Sequence, residues 1–141
     1  MILNEFIKET QKNQMIKELL QYYKVGSVKM KYKSMKDFAH YDVDRGTLNL
    51  SKRYKTIKDS QIKEFLITII HEIDHARMAK KYGWKKFREM WEIDANKITS
   101  GWYKGKSDPY DDNKYEIQAE KFGQKNWSKW FSKFKKEGFI D

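Results

Sequence analysis

The segment His71-Glu72-Ile73-Asp74-His75 constrains this chain more than any other. Histidines four apart share a face only if the segment is α-helical, where residues i and i+4 stand one turn above each other. On such a helix both imidazoles reach one metal ion. Glu72 then lies beside that ion, placed to handle a water molecule. The helix itself must be held by apolar contacts. At steps of about 100° per residue, Ile62, Phe65, Leu66, Ile69, Ile73 and Ala76 form one broad stripe. His71 and His75 fall on the opposite side, flanked by Ile67 and Met78. This pattern predicts a helix buried on two sides, one against the core and one lining a site. Asp59 or Ser60 can cap it, and Gly83 stops it after Tyr82.

The other elements follow from local pattern. Thr10 to Lys24 reads as a helix, with Met15, Ile16, Leu19, Leu20 and Tyr23 on one stripe and Gly26 beyond its end. Ser27 to Lys33 alternates Val28, Met30 and Tyr32 with three lysines, the pattern of a half-buried strand. Asp37 to Val43 and Thr47 to Leu50 read as two more strands, with Asp44-Arg45-Gly46 as a hairpin turn. Three strands in meander order predict a small antiparallel sheet. Trp84 to Ile98 reads as a helix, residues 99–112 as a loop containing Pro109, and the chain from Asn113 as a last helix. The expected fold class is α+β: an N-terminal helix, a three-stranded antiparallel sheet, the histidine helix and C-terminal helices. Its 141 residues suit a single domain, 1–141.

Composition narrows the setting. Aromatic residues make up 16% of the chain, enough apolar bulk to argue against disorder. No cysteine is present, which removes disulfides, thiolate nucleophiles and Cys-ligated zinc. Met1 to Phe6 runs at once into Lys8 and Glu9, without the apolar stretch of a secretory leader. No segment has the roughly 20 apolar residues of a membrane span. The expected location is therefore the cytoplasm, or a host cytoplasm if the chain is phage-encoded. The formal net charge is +10, which favours an anionic partner such as nucleic acid through a basic surface. Lysines spread along the whole chain also fit a role in solubility alone.

Two histidines leave a metal site incomplete. The spacing is that of zinc-dependent hydrolases, whose catalytic Zn2+ takes three protein ligands and keeps one position for water. With only three histidines in the chain, a carboxylate is the natural third donor. Glu64 shares the histidine face but lies two turns away, roughly 10 Å along the axis. Downstream candidates are Glu89, Glu92, Asp94, Glu116 and Glu120. Glu92 and Glu116 compete best, since each is followed three residues later by alanine, which would let its helix approach closely. Glu116 is preferred. A loop precedes it, and a first-turn position favours an ionised carboxylate. A capping role beside Asn113 is the alternative use of Glu116.

His71-Glu72-Ile73-Asp74-His75-Ala76, Asp-Pro-Tyr at 108–110 and Tyr-Glu-Ile-Gln-Ala-Glu-Lys-Phe-Gly at 115–123 resemble small phage and bacterial zinc metallopeptidases. These are compact gluzincin-like domains akin to the ImmA/IrrE type. The likeness spans residues 37 to 125. It implies a minimal zincin-like domain with His71, His75 and Glu116 as zinc ligands and Glu72 as catalytic base. The gap from His75 to Glu116 and Gly123 after Phe122 depart from the commonest spacing. SprT-like proteases fit less well, for they use a third histidine and often a Cys-rich ribbon.

The expected activity is hydrolysis of a protein or peptide substrate, Glu72 passing a proton from water to the leaving amine. The substrate would pair with an edge strand, for which Thr47 to Leu50 is the candidate. Tyr103, Tyr110 and Tyr115 are candidate oxyanion donors. Asp74 either orients a histidine or faces solvent, and His40 reads as a surface strand residue, with a substrate-side role as the alternative. The stripe Trp127, Trp130, Phe131 and Phe134 is interleaved with lysines and reads as docked on the core, with membrane or nucleic-acid binding as the alternative. The alternative function is a zinc-containing module that binds nucleic acid or protein without proteolysis.

Overall fold

The computed structural model describes residues 6–140. Most of the amino-terminal stretch read for a leader lies outside them. The elements run in the order β1 (Phe6–Ile7), α1 (Glu9–Tyr22), β2 (Lys29–Lys33), β3 (Ala39–Asp42), β4 (Thr47–Ser51), β5 (Ile57–Lys58), α2 (Ile62–Tyr82), α3 (Trp84–Thr99) and α4 (Lys114–Lys136). Short 3-10 turns at Lys52–Tyr54 and Asp59–Gln61 flank β5. The fold is α+β, as the periodicity predicts. No helix among the described residues is long and apolar enough to cross a membrane.

The sheet departs from the expected meander. Its order is β2-β4-β3, with β2 parallel to β4 and β3 antiparallel to it. It is thus mixed, not antiparallel throughout, and Thr47–Ser51 is its central strand. The side chains explain this order. Every residue of β4 is buried, because Leu48 and Leu50 alternate with the short polar Thr47, Asn49 and Ser51. The lysines of β2 are exposed and suit an edge. The hairpin between β3 and β4 forms as the turn residues require: Asp42 Oδ1 accepts the N–H groups of Asp44 and Arg45, and Gly46 sits at φ 62°. A second small sheet pairs β1 with β5.

Helix α2 lies at the centre. Phe65, Leu66, Ile69 and Ile73 are at most 1% exposed and pack into a cluster with Met15, Ile16 and Leu19 of α1, Leu48 and Leu50 of β4, and Trp130 and Phe134 of α4. The second buried side is equally real: Glu72, Asp74 and His75 are all buried. Helix α4 crosses α2 very closely. Ala119 is fully buried, and a Cβ built on Gly123 would come 2.6 Å from the Ile67 carbonyl oxygen. The aromatic stripe of α4 docks inward as expected, with Trp130 Nε1 donating to Tyr23 Oη.

Candidate metal centre

Three side chains from two helices converge on one point. The Nε2 atoms of His71 and His75 lie 2.9 and 3.1 Å from Glu116 Oε1. The histidines come from consecutive turns of α2. Glu116 comes from the first turn of α4, forty-one residues beyond His75. Two contacts fix that turn. Asp94 Oδ2 accepts the Lys114 N–H at 2.9 Å, and Asn113 Nδ2 donates to the Trp91 carbonyl at 3.1 Å, tying the start of α4 to α3. Asn113 also caps α4 through the Tyr115 N–H. The Glu116 carboxylate takes no part in that cap, so the capping alternative does not describe it.

A further ring of contacts holds the three in place. Trp91 Nε1 donates to Glu116 Oε2 at 2.8 Å. Glu120 Oε2 lies 2.9 Å from His71 Nδ1, on the ring nitrogen turned away from Glu116. A carboxylate on the distal nitrogen sets the tautomer and aims the other nitrogen inward. Sequence reasoning counted Glu120 among third-ligand candidates and did not see this orienting position. Its spacing of four from Glu116 carried the signal, since both share one face of α4. Trp91 gave no such cue. It meets Glu116 only because α3 folds beside α4.

Glu72 is almost fully buried, with one oxygen tied and the other directed at the cluster. Its Oε1 accepts the Tyr41 N–H of β3 at 2.7 Å. Its Oε2 lies 3.6 Å from His71 Nε2. Burial raises its proton affinity above the ordinary carboxylate range, against the pull of His75 and His71. Burial opposes charge on His71, but Glu116, Glu72 and Glu120 outweigh it and raise its pKa to about 9. Burial likewise opposes ionisation of Glu116, but His71, His75 and the Trp91 N–H hold it well below the usual range. Three carboxylates around two imidazoles make a pocket that demands positive charge. This donor set fits a divalent cation with imidazole and carboxylate preference, such as Zn2+. His71, Glu72 and His75 by themselves already group closely enough to hold an ion.

The remaining candidates separate clearly. Glu92 is exposed and paired with Arg88 Nε at 3.0 Å. Glu89 is exposed on the same helix. Asp94 is buried and taken by Tyr103 Oη and the Lys114 N–H. Asp74 neither orients a histidine nor faces solvent: it is buried and accepts from Arg77 and Gln118. Among the tyrosines, Tyr103 is thereby held at Asp94, and Tyr115 packs edge-on against Phe87. Tyr110 alone of the three lines the clefts on both sides of the cluster. Its loop is pinned by Asp108 and Asp112, whose carboxylates accept backbone N–H groups from Ser107, Asp108, Tyr110 and Asp111. Burial and the charges of Glu116 and Glu72 push its phenol above the ordinary value. His40, exposed on β3, also lines both clefts.

Strand β3, not β4, runs beside the cluster. Phe38 O accepts the Ser51 N–H, and the two-residue period sends His40 and Asp42 to the same ladder. The backbone groups of Ala39 and Tyr41 therefore turn toward α2. The expectation that Thr47 to Leu50 offers the open edge is corrected: that strand is paired on both sides.

No family model, curated protein or solved structure matches this chain.

Proposed function

We propose that this protein is a zinc-dependent peptidase of the gluzincin-like kind that its motifs resemble. One observation carries the reading: His71, His75 and Glu116 meet at a single point with Glu72 beside them, under an edge strand. His71, His75 and Glu116 would hold Zn2+, which when bound supplies a Lewis acid and lowers the pKa of a water molecule. Glu72 is suited to take a proton from water and deliver it to the leaving amine. Its proton affinity is raised, and one oxygen is pinned by Tyr41 while the other faces the cluster. An extended peptide would lie along β3, using the backbone groups of Ala39 and the Tyr41 carbonyl turned away from β4, the Tyr41 N–H being taken by Glu72. Tyr110 is the best-placed donor for a developing oxyanion, because its phenol stays protonated at the edge of both clefts.

The test is Glu72→Gln, assayed on a degenerate fluorogenic peptide library with zinc content measured in parallel. Retained zinc with hydrolysis reduced about 10²–10⁴-fold is the expected result. Unchanged hydrolysis with zinc retained would sink the peptidase reading and favour a non-proteolytic zinc module.

A further inference from the structure

A cavity of about 840 Å3, larger than the clefts beside the histidines, lies elsewhere among the described residues. It lies across α4 from those clefts. Glu116, Glu120 and Gln124 line the clefts on the histidine side of the helix, Gln118, Phe122 and Lys125 line this one, and Lys121 stands between the two. Its rim carries six exposed cations: Lys24 in the turn after α1, Arg77, Lys80 and Lys81 of α2, and Lys121 and Lys125 of α4. The one lining carboxylate, Asp74, is buried and taken by Arg77 and Gln118. Flat rings stand among the charges. Phe122 lies under the Arg77 guanidinium at 4.4 Å, Tyr23 forms part of the wall, and Tyr82 is 40% exposed.

The basic track does not end at the cavity. Lys125, Lys129 and Lys133 follow at intervals of four along one face of α4, a run of about 12 Å at helical rise. Lys129 sits over the ring of Tyr22, itself 57% exposed, and Lys133 over Trp130. A cavity rimmed by cations that opens onto a linear row of lysines fits a chain of repeated negative charges better than one small anion. The exposed rings add a second requirement, a partner with open planar groups. A duplex hides its bases in the stack, and a chain of acidic residues carries no aromatic ring.

We propose that this cavity and the lysine row of α4 bind single-stranded nucleic acid, with phosphates along the lysines and bases against Tyr82 and Tyr22. The site is separate from the metal cluster and does not depend on the peptidase reading. Fluorescence anisotropy with a labelled oligothymidylate tests it on the full-length protein. Affinity should fall with added salt, log K changing by about 0.7 per log unit of salt for each phosphate neutralised. Lys81→Glu combined with Lys125→Glu should weaken binding at least about tenfold and flatten that slope. Tyr82→Ala should weaken binding and leave the slope unchanged, which also covers the case in which the charge-reversed protein fails to fold. Unaltered affinity in a folded double variant would overturn the site. Equal binding of a duplex, or equal displacement by polyglutamate, with Tyr82→Ala silent, would overturn the single-strand assignment.

Discussion

Trp91 illustrates what a single residue can add to the proposed metal site without being one of its ligands. Its indole N–H donates to Glu116 Oε2, leaving Oε1 toward the two histidines. Indole has no acceptor and cannot compete for the cation, so it only orients and helps keep the carboxylate ionised. Glu120 does the corresponding job for His71. Glu116→Ala should abolish stoichiometric zinc binding. Trp91→Phe should weaken it by about 10–100-fold, as loss of an orienting partner does. Glu92→Ala should bind zinc like the parent, because Glu92 is exposed and held by Arg88. Zinc titration by competition with a chromogenic chelator checks all three. Full affinity in Glu116→Ala would refute its place among the ligands.

At the scale of elements, the site depends on how near α4 comes to α2. Glycine in a helix interior ordinarily costs about 1 kcal/mol against alanine. At Gly123 that preference is overruled, since the added Cβ would press on the Ile67 carbonyl at 2.6 Å. Backbone on one side and helix on the other leave nothing flexible to yield. Gly123→Ala should therefore destabilise the fold by about 1–3 kcal/mol, the usual range for overpacking, instead of stabilising it. The same shift carries Glu116 away from the histidines, so zinc affinity should fall with it. Urea unfolding and zinc titration of the one variant report both effects. A gain in stability would show that α4 can move without cost. The small residue Ala119 was legible in the sequence as a sign of close approach. Gly123 entered only as a departure from the commonest spacing, and its structural reason is visible in the crossing alone.

At the scale of the whole molecule, Lys12 joins regions far apart in the chain. It is 1% exposed, and its Nζ donates to Tyr32 Oη of β2 and to the Tyr54 carbonyl. Burial lowers its pKa from 10.5 to about 8, with Glu9 opposing and Lys55 reinforcing. Below the folded pKa both states hold the proton, and the cost of burying the charge is constant. Above it the folded protein releases the proton while the unfolded chain still keeps it, so this group makes stability rise with pH, from about 8 toward 10. Chemical denaturation at intervals across that window should show the rise, and Lys12→Met should remove it. An identical pH profile in the variant would rule out Lys12 as its source. The histidine helix, its two buried sides and the α+β class were all readable in the sequence. They rest on spacings of three, four and two residues, which covalent geometry converts directly into faces. The neighbours across the sheet were not readable, nor was the tryptophan that meets Glu116, nor the edge strand beside Glu72. Those depend on which elements pack together, and β2, β4, α3 and α4 are placed by burial and shape across long stretches of chain. The sequence by itself determined a helix that sets two imidazoles and a carboxylate side by side in the candidate site. Only tertiary packing decided which distant carboxylates complete that site, because no local spacing encodes contact between residues more than forty positions apart.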